Sequence, residues 1–127
     1  MKDLILLPTY NERANVQWLI PEIFSLQPKI NILVIDDNSP DGTATVIKEL
    51  MVKYSGLSLL ARPIKNGLGN AYKQAMQQVM EDKEIRSIIT MDADGSHDPK
   101  YLKDFLSNID NYDLIIGSRY IKGGGVA

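Results

Sequence analysis

A chain of 127 residues with 44% hydrophobic and 24% charged residues is long enough for one globular domain with a real core and too short for two. Its net charge of −2 gives no basic footprint for nucleic acid; with no cysteine, disulfides and thiolate metal sites are excluded, which fits a reducing compartment. A single histidine, His97, rules out a multi-histidine zinc site, and the short apolar run before Pro8 is neither a signal peptide nor a bilayer span.

In chain order, Leu4 to Leu7 reads as a buried strand that leaves through "PTYNER". Tyr10 there can stack on a base with Pro8 shaping the pocket floor; the segment equally suits a plain strand exit with Asn11 capping the next helix. Val16, Leu19, Ile20, Ile23 and Phe24 have the spacing of one buried helix face, and Pro21 among them is expected to kink or break that helix. A second strand, Ile32 to Ile35, runs into "DDNSPDGT". A carboxylate at that edge can accept two hydrogen bonds from a guanine or one from a uracil. Asn38 to Gly42 reads as a loop with Asp41 as helix cap, whereas capping has no need of Asp37.

Val46, Ile47, Leu50 and Met51 mark the second helix and Leu57 to Ala61 the third strand. Its exit, "RPIKNGLGN", offers Arg62 and Lys65 as cations and glycines at a helix start, where backbone N–H groups can face a phosphate. It is not a dinucleotide fingerprint, which would follow the first strand and carry a third glycine. Ala71, Tyr72, Ala75, Met76, Val79 and Met80 form the third helical face, and Ile88 to Met91 the fourth strand.

That fourth strand ends in "DADGSHDP", with Asp92 and Asp94 separated by one residue and therefore on the same side of an extended chain. Two such carboxylates can grip a hard divalent cation, with Ser96 and water as further ligands; D-x-D-G is also a common turn, and Asp98 before Pro99 a helix start. His97 suits a supporting or capping role better than that of a base. Leu102, Phe105, Leu106 and Ile109 predict a fourth helix and Leu114 to Ile116 a fifth strand. Arg119 in the closing "GSRYIKGGG" can hold a phosphate bidentately or serve as a surface ion-pair partner.

This alternation predicts an α/β fold, a mostly parallel sheet with helices on both faces. All five polar segments then emerge along the carboxyl edge of the sheet, where open α/β sheets bind ligands.

Taken in order, "PTYNER", "DDNSPDGT", "GLGNAY", "MDADGSHDP" and "GSRYIKGGG" resemble the inverting GT-A glycosyltransferases of family 2. More narrowly, they resemble the dolichol-phosphate (polyprenol-phosphate) mannosyltransferases. The resemblance implies a Rossmann-like GT-A fold and transfer of mannose from GDP-mannose to a polyprenyl or dolichyl phosphate with Mg²⁺ or Mn²⁺. It implies that Pro8, Tyr10, Glu12, Ile35 and Asp37 line the nucleotide pocket with Asp37 on the base, and that Asp92 and Asp94 are a DxD metal pair. Ala93 would lie beside the diphosphate, Ser96 at a further metal-side position, and Arg119 toward the sugar or acceptor phosphate. Gly95 departs from the pattern, standing where many relatives carry a bulkier apolar residue, and Asp98 stands where many have proline. The expected unit is one nucleotide-sugar-binding domain over residues 1–127, ending before the acceptor and membrane segment, cytoplasmic and peripheral to a membrane.

Transferases using UDP-glucose or a UDP-aminosugar share much of this pattern. Two rivals fit less well. A receiver domain needs its acidic pair after the first strand, and a haloacid-dehalogenase-type phosphatase needs its motif near the start of the chain and acidic and lysine elements well beyond it.

Overall fold

The computed structural model describes residues 2–63, 65 and 67–108. Four strands, β1 (Lys2–Thr9), β2 (Asn31–Asp36), β3 (Leu57–Ala61) and β4 (Ile85–Thr90), alternate with helices α1 (Arg13–Leu26), α2 (Thr43–Lys53), α3 (Leu68–Val79) and α4 (Leu102–Asn108). One 3₁₀ turn, Pro99–Tyr101, leads into α4. The expected fifth strand and Arg119 lie outside the described residues.

The strands form a wholly parallel sheet in the order β3-β2-β1-β4. Both faces are covered, so each strand is apolar on both sides, and this is why the strands read as unbroken hydrophobic runs rather than as alternation. Ile5, Leu7, Ile32 and Val34 point to the side carrying Val16, Leu19, Ile20 and Ile23 of α1 and Val46 and Ile47 of α2. Leu4, Leu6, Leu33 and Ile35 point to the other, where Ala71, Ala75 and Val79 of α3 cover them.

The strand order creates the place for a site. The chain moves from β1 outward to β2 and β3, then returns to add β4 on the other side of β1, so a crevice opens at the carboxyl ends of β1 and β4. Register makes the edge level: Thr9 pairs with Asp36 and Asp36 with Ala61, so Tyr10, Asp37 and Arg62 are the first residues beyond three adjacent strands.

Two expectations need correction. Pro21 neither breaks nor ends α1, which runs unbroken through it. It removes one main-chain hydrogen bond, but fully buried Ile20 and Ile23 on either side hold the helix against the sheet. Asn11 does not cap α1 either. Its backbone is left-handed, at φ 54°, and the first α1 N–H, that of Arg13, donates to Asp41 Oδ2 at 3.1 Å. Asp41 also accepts from Thr43 N at 3.0 Å, so one carboxylate serves the starts of two helices. Asp98 behaves as expected, accepting from Lys100 N at 3.0 Å with Pro99 opening the 3₁₀ turn.

At the opposite end of the sheet the chain enters β3 through Gly56, where a Cβ would lie 2.7 Å from the Ile30 carbonyl oxygen and 3.3 Å from Phe24 Cε1. That carbonyl belongs to the backbone and cannot swing aside. Gly56→Ala is therefore expected to destabilise the fold by about 1–3 kcal/mol, the usual cost of overpacking, in a denaturant titration. A midpoint unchanged from wild type would show that the two segments are not locked together.

Candidate nucleotide and metal site

A cavity of about 290 Å³ opens at the β1/β4 crevice, lined by Pro8, Thr9, Tyr10, Glu12, Asp37, Lys65, Ala71, Asp92, Ala93 and Asp94. Its inner end is organised by two adjacent carboxylates with opposite fates. Asp36, the last residue of β2, is 1% exposed and has its oxygens taken up by the protein. Oδ1 accepts from Thr9 Oγ1 at 2.8 Å and from Ser39 Oγ at 2.6 Å, and Oδ2 accepts from Ser39 N at 3.1 Å.

Asp37, one residue on, faces the cavity and is 7% exposed. Its partner is Arg62, itself buried, with Nη1 3.2 Å from Oδ1; the hydrogen bond from Nη1 goes to Oδ2 at 3.4 Å, and buried Oδ1 accepts none among the described residues. Burial raises the Asp37 pKa, and the neighbouring Asp36 charge adds to this, against the lowering effect of Arg62 and Lys65. A buried carboxylate oxygen without a hydrogen bond is costly, and the residue that carries it is one that lines the cavity. Arg62, one of the two cations that "RPIK" offers, is thus engaged with Asp37.

Tyr10 is the aromatic element of the wall, 38% exposed, and Lys65 Nζ lies 4.3 Å from its ring centroid. Such a contact holds the ammonium over the π face. Glu12, at the entry to α1, accepts from Asn15 Nδ2 at 2.7 Å.

Asp92, Ala93 and Asp94 form the outer end. Asp92 is half-buried and Asp94 exposed. Hydrogen bonds from the Ser96 side chain and backbone hold the Asp94 pKa below the ordinary carboxylate value, with Ser96 N at 2.9 Å from Oδ1. His97 leans on the same turn: its Nδ1 accepts from Asp92 N at 3.1 Å and its Nε2 lies 3.7 Å from Asp92 Oδ2. Tyr72 of α3 approaches from the other side; burial raises its pKa, as does the Asp92 charge.

The donor set fits a hard divalent ion such as Mg²⁺ or Mn²⁺: carboxylate oxygens on a solvent-accessible turn that lines the cavity. Among the described residues no group of three His, Cys, Asp or Glu side chains is placed to hold a metal unaided. A cation held here would take most of its ligands from water or from a substrate phosphate, as Mg²⁺ commonly does.

Of the residues singled out from the sequence, Pro8, Tyr10, Glu12, Asp37, Asp92, Ala93 and Asp94 meet at this cavity. Ile35 does not reach its wall; it is fully buried under α3, one pleat behind Asp36. Ser96 is exposed beside Asp94 rather than on the wall. Thr9 and Ala71 were not foreseen. Nothing in "PTYNER" singles out Thr9, and Ala71 carries no signal beyond its place on the third helical face.

Among the described residues no helix is long and apolar enough to cross a membrane. In comparison with known proteins, the chain is 39% identical over 127 residues to the polyprenol monophosphomannose synthase of Mycolicibacterium smegmatis, covering 98% of this chain and 48% of that protein. It is 36% identical over 124 residues to the undecaprenyl-phosphate mannosyltransferase of Micrococcus luteus, covering 98% of this chain and 51% of that protein. The chain thus spans about half the length of the curated relatives it matches. Among solved structures, the mannosyltransferase PcManGT from Pyrobaculum calidifontis in complex with GDP-Man and Mn²⁺ superposes with a TM-score of 0.56 at 22% identity, over 61% of this chain and 24% of that one. The parallel sheet with helices on both faces is that of the GT-A glycosyltransferases. The family model described as "Glycosyl transferase family 2" matches residues 4–127, and the chain belongs to that family.

Proposed function

We propose that this chain is the nucleotide-sugar-binding part of a hexosyltransferase that moves mannose from GDP-mannose to the phosphate of a polyprenol. The observation that carries the reading is the cavity itself, with a buried, incompletely satisfied carboxylate at one end and two accessible carboxylates at the other. That spacing of functions suits a guanosine diphosphate, whose base offers N–H donors and whose diphosphate attracts a cation. The relatives at 36–39% identity, both polyprenyl-phosphate mannose transferases by name, support the same choice of sugar and acceptor.

In this reading Asp37 accepts from the base, while Arg62 keeps the carboxylate in place. Tyr10 stacks on the base, and Pro8 and Glu12 line the pocket around it. Asp92 and Asp94 hold Mg²⁺ or Mn²⁺, with Ala93 beside the diphosphate and Ser96 keeping Asp94 ionised and oriented. The bound cation neutralises charge that accumulates on the leaving diphosphate. In the transfer, an acceptor phosphate oxygen attacks the anomeric carbon as the bond to GDP breaks, with inversion. The acceptor oxygen is already ionised, so none of these residues has to remove a proton. Arg119 is assigned to the sugar or acceptor phosphate. The reading places the meeting with the polyprenol at the cytoplasmic surface of a membrane.

Calorimetry with GDP tests this directly. Wild type is expected to bind GDP more tightly with Mn²⁺ than without it, and Asp92→Asn and Asp94→Asn to abolish that difference. A folded sample showing no metal-dependent GDP binding would overturn the proposal, and a preference for UDP would redirect it to a uridine donor.

Asp37→Asn is expected to weaken GDP binding about 10- to 100-fold, the loss of charge-assisted hydrogen bonds to the base. Acid acts in the same direction. Because the Asp37 pKa is raised, its protonated form, which cannot accept both N–H groups, appears at a higher pH than for an ordinary carboxylate. GDP affinity should therefore fall as pH drops through that raised value, and the fall should be absent in Asp37→Asn.

A further inference from the structure

Trp18 is the one tryptophan of the chain, and it is 47% exposed. A large indole left half in water on a helix that buries five other residues is not explained by the core. Its surroundings give it another use. Nε1 donates to Asn15 Oδ1 at 3.3 Å, and Asn15 Nδ2 in turn donates to Glu12 Oε2 at 2.7 Å. These three residues recur at intervals of three, so they form one stripe along the start of α1, and its first member lines the cavity.

The other end of the stripe meets the acidic turn. A Cβ built on Gly95 would lie 3.3 Å from Trp18 Cζ2 and 3.8 Å from Cη2. Gly95 also has φ +84°, which glycine adopts without cost. The turn from Asp94 to Ser96 therefore passes beside the indole edge, close enough that even a Cβ at residue 95 would make a tight contact with it. The hydrogen bonds from Ser96 N to Asp94 and from Asp92 N to His97 shape this turn from within. Trp18 supports it from a different element of the fold.

We propose that Trp18 is a positioning residue for the metal grip: its ring backs the Asp92 to Ser96 turn, and its N–H, donated to Asn15, holds the indole against the start of α1. This rests on the reading of Asp92 and Asp94 as cation ligands. The glycine at residue 95 is then the counterpart of the tryptophan at residue 18, the small residue that admits the large one. The stripe also links the two ends of the cavity through one rigid helix, so that Glu12 at the nucleotide and the turn at the cation share a single support.

The test compares Trp18→Ala, Trp18→Phe and wild type by Mn²⁺ paramagnetic resonance in the presence of GDP, by calorimetry with GDP alone, and by thermal melts. Trp18→Ala is expected to lower the Mn²⁺ affinity about 10-fold, at the lower end of what loss of a supporting contact costs a metal site. It should leave metal-free GDP affinity unchanged. Trp18→Phe, which keeps a flat ring without the N–H, should recover part of the loss. Should Trp18→Ala fail to fold, Trp18→Leu, which keeps apolar bulk without the flat ring, is read in the same way. Wild-type Mn²⁺ affinity in the Ala or Leu variant overturns the inference, as does an equal loss in metal-free GDP binding or failure of Phe to recover any of it. If wild type itself shows no Mn²⁺ binding with GDP, the assignment of Asp92 and Asp94 fails instead, so the two failures are told apart.

Discussion

A buried carboxylate is costly unless donors take up its oxygens, and at Asp36 those donors come from β1 and from the loop that follows β2. Thr9 Oγ1 ties the end of β1 to the end of β2. Ser39 folds the next loop back onto the same carboxylate, and its Oγ also accepts from Asn11 N at 2.9 Å. One buried charge therefore fixes the exit of β1, the exit of β2 and the path of the loop between β2 and α2. Because Asp36 is held on that side, the next residue along the chain turns to the other, and Asp37 lines the cavity.

The loops after β1 and β2 are stitched together further out by the same kind of exchange. Glu12 N donates to Thr43 Oγ1 at 3.2 Å, Arg13 N to Asp41 Oδ2, and Arg13 Nη1 to the Asp41 carbonyl at 3.3 Å. Burial raises the Asp41 pKa, but hydrogen bonds from Thr43 and Arg13 outweigh it and hold it below the ordinary value. The start of α1, which carries Glu12, is thus capped by residues of "SPDGT" rather than by its own. That arrangement places the pocket wall by tertiary contacts and leaves the stripe from Glu12 to Trp18 on a helix whose first turn cannot drift.

Much of this was legible in the sequence because it rests on periodicity. Strands buried on both faces appear as short apolar runs and helices as a 3.6-residue repeat, and the exits of four described strands bring their polar segments to one edge. What escaped depends on pairs far apart in the chain. Asn11 was a good local cap candidate, yet the donor it was meant to serve is met by Asp41. Pro21 breaks isolated helices but not one pinned to a sheet by its neighbours. Arg62 looked like a free cation because nothing in "RPIK" announces that Asp37 lies across the strand ends. The contact between Trp18 and Gly95 is invisible for the same reason: an amphipathic reading of α1 assigns the indole no partner.

The two ends of the cavity also differ in how far the protein has built them in advance. At Asp37 the surroundings are buried and the carboxylate is positioned by an ion pair, so under the proposed function a base would meet a partner already in place, at little cost in ordering. At Asp92 and Asp94 the carboxylates are accessible, and among the described residues too few ligands surround them to hold a cation without help. Under the proposed function, a cation is therefore held well only once a diphosphate is present to share it, and the diphosphate in turn is held more firmly by the cation; by linkage the two gains are equal. In that proposal the base end would confer recognition, and the acidic turn would make the grip conditional on an intact diphosphate, the group whose departure the proposed transfer requires.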